Sequence, residues 1–294
     1  MELLVFGAGS IGSLLGGLLS REHEVTLLGR DPHMRQIETE GLEITGLANE
    51  RVYPSTTTDL EGVTADIALL TVKSYDTEAA AMELAELDLE AVCSVQNGLG
   101  NVEVLAEALS CPILGGSTTY GAYLEAPGQV RMTGDGTVTI GSFREGGDKV
   151  DTIVELFESA GLTAISTDDI RQTLWEKVAV NAAINPVTAL TRQPNGAVAT
   201  DPLYTVAVSA ADEAVAVATA NGIDLEKTEI RKTVRTVAEA TAENRSSMLQ
   251  DVVNEQQTEI GAINEAIVER SETIDVPVNE TLAALIKGLS SKLA

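Results

Sequence analysis

The stretch ELLVFGAGSIGSLLGGLLSRE, residues 2–22, decides the fold. It begins with an apolar run, continues through a glycine-rich turn at residues 7–12, and ends in an apolar helical pattern. A second apolar run, EVTLL at residues 24–28, follows. This order predicts a strand, a helix and a second strand. A GxGxxG spacing between a strand and a helix is the context in which proteins bind dinucleotides.

Each glycine of GAGSIG has its own physical role. Gly7 allows the tight turn, Gly9 lets the backbone approach a pyrophosphate, and Gly12 lets the helix pack on the strand. The helix N-terminus supplies N–H donors and positive potential. The alternative is a glycine turn without a ligand. The residues predicted to bind the cofactor in this turn are Gly7, Ala8, Gly9, Ser10, Ile11 and Gly12.

The tip of the second strand carries Gly29 and Arg30, where an acidic residue would bind the adenosine ribose. A guanidinium at this place can pair with a 2′-phosphate, which favours NADP over NAD. Asp31 follows directly and weakens the preference. The alternative interpretation of Arg30 is a solvated surface arginine.

Strand-like and helical patterns continue to alternate up to residue 166. Further apolar runs lie at residues 67–73, 91–96 and 112–119, and such runs are typical of a parallel sheet covered by helices. The segment PGQVRMTGDGTVTIGS, residues 127–142, predicts a hairpin around its Asp-Gly turn at the sheet edge.

From about residue 168 the strand pattern disappears. The predicted helices span residues 169–190, 200–221, 225–240, 246–270 and 278–291. The predicted fold class is therefore α/β: a Rossmann-type NADP-binding domain, residues 1–166, followed by an all-helical substrate and catalytic domain, residues 167–294.

The composition restricts the partners and the compartment. The 294 residues include 45 acidic and 19 basic ones, for a net charge of −26, which argues against a nucleic-acid-binding surface. The sequence shows no apolar run near 18 residues and no basic signal-peptide start, which predicts a cytoplasmic protein without a membrane span. Cys93 and Cys111 lack disulfide or metal spacing, and no metal site is predicted. The acidic charge indicates either adaptation to high salt or an ordinary acidic protein.

Lys73 and Asn97 follow predicted strands, in VKSYDT and QNG. The carboxyl ends of strands line the ligand crevice of a doubly wound sheet, so both residues are candidates for contact with cofactor or substrate. The alternatives are a surface lysine and an ordinary turn asparagine before glycine.

The segment LWEKVAVNAAINPVTAL, residues 174–190, places polar side chains in an apolar helical run. Lys177 and Asn181 are four residues apart and Asn185 lies two turns from Lys177, so all three can share one helix face. The alternatives are a lysine that extends to solvent and a helix that ends at Asn185, before Pro186.

The segment NRSSMLQDVVNEQQTEIGAIN, residues 244–264, contains two more candidates. Ser247 lies three residues before Gln250, so its hydroxyl either caps a helix or binds a substrate carboxylate. Glu259 lies among apolar positions and is either a solvated edge residue or the partner of a buried lysine.

In order along the chain, these segments resemble the ketopantoate reductase family, also called 2-dehydropantoate 2-reductases. The resemblance runs through GAGSIG, TVKSYDT, QNG, GGSTTYGAYLEAPGQVRMTGDGTVTIG, LWEKVAVNAAINPVTAL, PNGAV, SSMLQDV and TEIGAIN. It implies an NADPH-dependent reductase that converts 2-dehydropantoate (ketopantoate) to (R)-pantoate, a step toward pantothenate and coenzyme A.

The resemblance also implies a role for each candidate. Lys177 is implied as the general acid, and Glu259 as the carboxylate that binds the substrate hydroxyl region and orients the site. The implied substrate-binding residues are Asn97, Asn181, Asn185, Asn195 and Ser247, and the implied cofactor contacts outside the glycine turn are Arg30, Lys73 and Asn97. The sequence departs from the family at Met132, where histidine is frequent, and in TEIGAIN, where TEIDYIN is usual.

Two other functions fit the same residues. One is a related reductase of another 2-oxo acid, and the other is an NADP-binding sensor without catalytic activity. The retention of both Lys177 and Glu259 argues against the sensor. The sequence leaves open whether the protein is a monomer or a homodimer.

Overall fold

The chain forms two compact units, and each carries part of the predicted site. The computed structural model describes residues 1–290. The first unit comprises Met1–Gln96 with Asn101–Ile170, and the second comprises Asn97–Gly100 with the chain from Arg171 onward. The sequence placed the division at residue 166. It did not indicate that four residues after the QNG strand group with the helical unit.

The described residues form twelve strands in two sheets. In chain order they are β1 (Glu2–Phe6), β2 (Glu24–Leu28), β3 (Leu42–Gly46), β4 (Glu50–Val52), β5 (Ser55–Thr57), β6 (Ile67–Leu70), β7 (Ala91–Ser94), β8 (Ile113–Thr118), β9 (Gly121–Ala126), β10 (Gln129–Gly134), β11 (Val138–Arg144) and β12 (Ala164–Ser166). The first sheet has the order β12-β11-β8-β7-β6-β1-β2-β5, and the second has the order β4-β3-β10-β9.

The strand order of the first sheet creates the ligand-binding edge. β1 pairs in parallel with β2 on one side and with β6 on the other, so the connections run in opposite directions from β1. Ligands of such sheets bind outside the carboxyl ends of the strands at this reversal. The glycine-rich turn follows β1 directly, at Gly7.

The predicted hairpin around Asp135 and Gly136 is wrong. β10 pairs with β9 and β3 in the second sheet, whereas β11 pairs with β8 in the first. The Asp-Gly pair therefore connects strands of different sheets. The hairpin is formed by β9 and β10, with Gly128 in its turn at φ 75°. Local turn chemistry specifies a change of direction but not the strand that becomes the partner.

Helices cover the first sheet and make up the second unit. In chain order they are α1 (Ser10–Leu19), α2 (His33–Glu40), α3 (Thr77–Leu84), α4 (Asn101–Ala108), α5 (Gly147–Ser159), α6 (Ile170–Thr191), α7 (Leu203–Ala220), α8 (Lys227–Ala240), α9 (Ser247–Val253), α10 (Ala266–Glu269) and α11 (Pro277–Ser290). The predicted α/β class, a Rossmann-type domain followed by helices, is confirmed.

The helical unit differs from the prediction in two places. The predicted helix at residues 246–270 is wrong, because α9 ends at Val253 and Glu255 has a φ of 56°. A π-helical turn, Gly261–Glu265, then precedes α10. In contrast, α6 does not end at Asn185 but continues through Pro186 to Thr191.

Helix α7 is the one helix among residues 1–290 that has the length and apolar composition to cross a membrane, with a mean hydropathy of 1.3. Its residues do not form an uninterrupted apolar run, in agreement with the prediction from the sequence. Two carboxylates lie in the middle of α7, and both have partners within the unit. Asp212 accepts a hydrogen bond of 2.8 Å from Arg231 of α8, and Glu213 accepts one of 3.0 Å from the Val278 backbone of α11. These contacts account for α7 as a packed helix of the second unit.

Candidate active site

On the side that faces the end of β6, the glycine-rich turn is packed too closely to admit side chains. Gly7 has a φ of 113°, and a Cβ at this position would lie 2.6 Å from the backbone nitrogen of Val72. A Cβ at Gly12 would lie 2.2 Å from the carbonyl oxygen of Gly7. Thr71 holds the turn in place, because its hydroxyl donates a hydrogen bond of 2.8 Å to the Gly7 carbonyl. Larger residues would therefore displace the turn from β6.

The outer side of the turn is open. Gly9 is exposed, and a Cβ there would meet only the Gly7 carbonyl oxygen, at 4.0 Å. Gly9 is the N-cap of α1, and the first turn of α1 contains no acidic side chain. The N–H groups at the start of α1, the polarity of the helix and the open space together fit a phosphate group. The neighbouring Ser10 hydroxyl accepts a hydrogen bond of 3.2 Å from the Leu124 backbone, which fixes β9 beside the turn.

Arg30 follows β2, and its side chain is 92% exposed. One of its nitrogens lies 3.8 Å from a carboxylate oxygen of Asp76, and an exposed pair at this distance stabilises little. Asp31 accepts a hydrogen bond of 3.2 Å from the backbone of Arg35, at the start of α2. Arg30 is therefore free to pair with an anion, while Asp31 has a local structural partner.

His33 supports this region, although no motif in the sequence marks it. Its ring is buried, and burial lowers its pKa below the usual 6.5. The Gly128 backbone N–H lies 2.9 Å from Nδ1, so Nδ1 is the acceptor, and the neutral ring carries its proton on Nε2. Nε2 lies 2.9 Å from the Ser13 hydroxyl of α1. His33 thus connects α1, α2 and the β9–β10 turn.

Lys73 lies beyond the end of β6 and is the N-cap of a short 3₁₀ turn, Ser74–Asp76. Gln96, which the sequence did not predict as a site residue, holds this loop in place. Its side-chain nitrogen donates hydrogen bonds of 2.9 Å to the Val72 carbonyl and 2.8 Å to the Thr77 hydroxyl. The loop that carries Lys73 is therefore fixed to the end of β7.

In the second unit, Asn97 and Glu259 are in contact. The Asn97 side-chain nitrogen donates to a Glu259 carboxylate oxygen over 3.4 Å, and Glu259 is 6% exposed. The segment around Asn97 is tied to that of Glu259 by a hydrogen bond of 2.9 Å from Leu99 N–H to the Ala262 carbonyl. Gly98 is required at the contact, because a Cβ there would lie 2.5 Å from that of Ala262.

Lys177 of α6 lies within the electrostatic reach of Glu259. Burial lowers the pKa of Lys177 to about 8, and the negative charge of Glu259 acts in the opposite direction. An ammonium group with a pKa near neutrality gives up its proton far more readily than an ordinary lysine. The structure therefore brings together Lys177, Glu259 and Asn97, which are distant in sequence. The alternative interpretation, a lysine that extends freely to solvent, does not fit this burial.

Asn181 and Asn185 continue the polar face of α6. Asn185 is 6% exposed and Asn181 is partly buried. Because α6 continues through Pro186, the spacing of four residues places both asparagines on the Lys177 side of the helix. They can donate and accept hydrogen bonds there without adding charge.

Ser247 and Asn195 lie outside the polar face of α6 that carries Lys177, Asn181 and Asn185. The N-cap of α9 is Ser246, whose hydroxyl accepts from the Leu249 N–H over 3.1 Å, so a cap at Ser247 is wrong. Ser247 is the first residue of α9 and is partly buried. The Asn195 side chain donates to the Thr241 hydroxyl over 2.9 Å. Its Oδ1 is buried without a hydrogen-bond partner among residues 1–290.

Within the described part of the chain, no group of three or more His, Cys, Asp or Glu side chains could hold a metal ion. Cys93 is buried and Cys111 is partly buried, and neither forms a disulfide. Burial raises the pKa of the Cys93 thiol to about 12.

The comparisons with known proteins cover both units. The family profile described as ketopantoate reductase PanE/ApbA matches residues 3–145, and the profile of its C-terminal part matches residues 169–290. A 2-dehydropantoate 2-reductase of Archaeoglobus fulgidus is 42% identical, over 98% of this chain and 98% of its own. One of Halobacterium salinarum is 40% identical, again over 98% of each chain.

A solved structure gives the same result. The PanE/ApbA family ketopantoate reductase from Ralstonia eutropha JMP134 is similar with a TM-score of 0.92 at 31% identity, over 100% of this chain and 99% of that one. The chain belongs to the ketopantoate reductase family.

Proposed function

We propose that this protein is a 2-dehydropantoate 2-reductase that reduces ketopantoate to (R)-pantoate with NADPH. The observation that carries the proposal is Lys177, with its pKa lowered to about 8 beside the buried carboxylate of Glu259. A sensor needs no proton donor of this kind, whereas the reduction of a ketone does.

Lys177 is the general acid in this proposal. When bound, NADPH supplies the hydride that is added to the carbonyl carbon. The carbonyl oxygen then becomes an alkoxide and needs one proton, which the Lys177 ammonium group donates. Such acid catalysis typically contributes about 10² to 10⁴-fold. The neutral amine that remains is favoured by the same burial that lowers the pKa of Lys177.

Glu259 has two functions in the proposed reaction. Its charge favours protonated Lys177 before the reaction, and its carboxylate accepts a hydrogen bond from the substrate hydroxyl region. Asn97 holds the Glu259 side chain. Asn181, Asn185, Asn195 and Ser247 are assigned to substrate binding, where neutral side chains can bind the carboxylate and hydroxyl groups without competing with Lys177 for charge.

The cofactor residues of the glycine-rich turn, together with Arg30 and Lys73, lie in the first unit, whereas Asn97 belongs to the second. The open side of the glycine turn and the N-terminus of α1 would hold the pyrophosphate. Arg30 would pair with the 2′-phosphate, and Lys73 would add a second positive charge near the phosphates. We assign the protein to the cytoplasm, with a small-molecule substrate and no nucleic-acid partner, since its charge of −26 repels phosphate polymers.

The test is a comparison of 2-oxo acids with the purified protein, followed through the absorbance of NADPH. Ketopantoate should have a kcat/KM about tenfold or more above those of 2-oxo acids with smaller or larger side chains, the discrimination expected from a pocket that fits one apolar group. A different best substrate would overturn the substrate assignment. If bound NADPH is not oxidised in a single turnover with any of these acids, the protein is a sensor.

A further inference from the structure

Helix α6 contains Pro186 in its interior. In an α-helix each carbonyl accepts a hydrogen bond from the N–H four residues later, and proline has no N–H. The carbonyl that loses its helical donor here is that of Ala182. Ala182 follows Asn181, so this carbonyl lies in the part of α6 that carries the polar face.

Asn264 supplies the missing donor. Its side-chain nitrogen donates to the Ala182 carbonyl over 3.1 Å and to the Oδ1 of Asn279 over 2.9 Å. Asn264 is fully buried. Both partners are oxygens, so the amide group must present its nitrogen to them, and its orientation is fixed.

Asn279 anchors Asn264 to the rest of the helical unit. The Asn279 side-chain nitrogen donates to the Ala210 carbonyl over 3.0 Å and to the Glu213 carboxylate over 2.7 Å. Glu213 also accepts a hydrogen bond of 2.9 Å from the Asn279 backbone N–H at the start of α11. A buried polar chain therefore leads from α7 and α11 to the interrupted turn of α6.

Asn264 lies in the π-helical turn that follows Glu259. The Glu265 N–H donates to the Ile260 carbonyl, five residues earlier, over 3.1 Å. Within this turn the Ala262 N–H donates to the Glu259 carbonyl over 3.1 Å, and the Ala262 carbonyl accepts from Leu99. The turn is thus bonded to the Asn97 loop through Ala262 and to α6 through Asn264. Single π turns within helices occur frequently at functional sites.

We propose that Asn264 is a positioning residue of the reductase, which holds the Glu259 turn at a fixed place against the part of α6 that carries Lys177. This inference rests on the proposed function. Asn264 acts through Glu259: without its bond to Ala182, the turn can move away from α6. The attraction between Glu259 and the Lys177 ammonium group would then weaken with distance.

The first test is Asn264→Ala in the full-length protein. We expect kcat for ketopantoate to fall about tenfold or more, a loss of transition-state stabilisation, while KM for NADPH stays unchanged. The pH above which kcat/KM declines should move lower, because Glu259 no longer supports the charged form of Lys177. An unchanged kcat and pH profile would overturn the proposal.

A second variant separates positioning from simple support of the helix. Pro186→Ala restores an N–H at position 186, and a carbonyl oxygen can accept two hydrogen bonds, so this variant alone should keep kcat. In Asn264→Ala/Pro186→Ala the Ala182 carbonyl regains its helical donor. We expect Tm to recover and kcat to remain low. If kcat recovers together with Tm, Asn264 only stabilises α6 and the proposal is wrong.

Asn101→Ala is the matched control, since it removes a buried asparagine of the first unit, outside the polar chain that holds Asn264. It should lower Tm and leave the pH profile of kcat/KM unchanged.

An NMR titration of the lysine side chains gives a result that does not need turnover. A lower Lys177 pKa in Asn264→Ala than in the wild-type protein supports the positioning role. This holds even if the wild-type protein reduces no ketopantoate, because that result would refute only the proposed function. An equal pKa in an active enzyme would refute the positioning role.

Discussion

The amide of Asn97 donates to the carboxylate of Glu259 although the two residues are 162 positions apart in the sequence. Asn97 belongs to a four-residue segment that groups with the helical unit. The donor is neutral and the distance is long, at 3.4 Å, so this contact orients the carboxylate without placing a positive charge beside it. The negative charge of Glu259 acts on Lys177, where it favours the protonated amine.

The first prediction concerns Lys177 as proton donor. Lys177→Ala should lower kcat by about 10² or more, because the alkoxide loses its acid, and the Kd for NADPH should stay nearly constant. Stopped-flow turnover and NADPH fluorescence measure the two quantities. A variant that keeps more than about a tenth of wild-type kcat, a loss below the usual range of acid catalysis, would contradict the general-acid role.

The second prediction concerns pH. Lys177 donates a proton only in its charged form, and that form predominates below its pKa, which burial lowers to about 8. The kcat/KM for ketopantoate reduction should therefore fall above pH of about 8, the value for Lys177. A profile that stays flat to about pH 10, near the ordinary pKa of lysine, would show that Lys177 is not the group that limits activity.

The third prediction concerns Glu259. Glu259→Gln should raise KM for ketopantoate and lower kcat, because an uncharged amide oxygen is a weaker acceptor for the substrate than a carboxylate and the charge beside Lys177 is lost. In the double variant with Lys177→Ala, the loss should be smaller than the product of the single effects, since the residues act as a unit.

Glu265→Gln is the matched control for Glu259. Glu265 forms an exposed ion pair with Lys287, and such pairs contribute little, so kcat and KM should not change. Independent, fully multiplicative effects of Lys177→Ala and Glu259→Gln would contradict the coupling between the two residues.

The fourth prediction concerns cofactor choice. Arg30→Ala should raise KM for NADPH and leave KM for NADH nearly unchanged, because only NADPH carries the 2′-phosphate. Arg35→Ala, which removes another exposed arginine of the same region, should affect neither. Equal losses with both cofactors would remove Arg30 from the 2′-phosphate site.

The fifth prediction concerns salt. The net charge of −26 repels itself when unscreened, and the screening length falls to about 3 Å at 1 M salt. Tm, measured by scanning calorimetry, should rise between low and molar KCl. A flat or falling Tm would mean that the acidic composition has a cause other than a high-salt environment.

The sequence predicted those features that depend on local pattern. GAGSIG identified the turn after β1, and the spacing of Lys177, Asn181 and Asn185 identified one face of α6. Features that depend on distant partners were missed. The Asp135-Gly136 turn could not indicate that β10 and β11 enter different sheets, because that is decided by pairing with β3 and β8.

Single polar residues with structural partners were missed for the same reason. His33, Gln96 and Asn264 carry no motif, and each is identified only by the atoms around it. Ser246 and Ser247 are adjacent, and the capping-box spacing selected the wrong one. A residue distant in sequence distinguishes the two serines. The hydroxyl of Thr188, in α6, lies 2.7 Å from the hydroxyl of Ser246.

Both outer strands of the eight-stranded sheet, Ser55–Thr57 and Ala164–Ser166, are only three residues long. A long free strand offers unpaired backbone groups to a second molecule, and short ones offer little for such pairing. This matters most where salt is concentrated, since charge repulsion between copies of an acidic protein is then screened and excluded salts strengthen apolar association. Under such conditions, the brevity of these strands rather than the negative surface would keep neighbouring molecules from joining along the edges of this sheet.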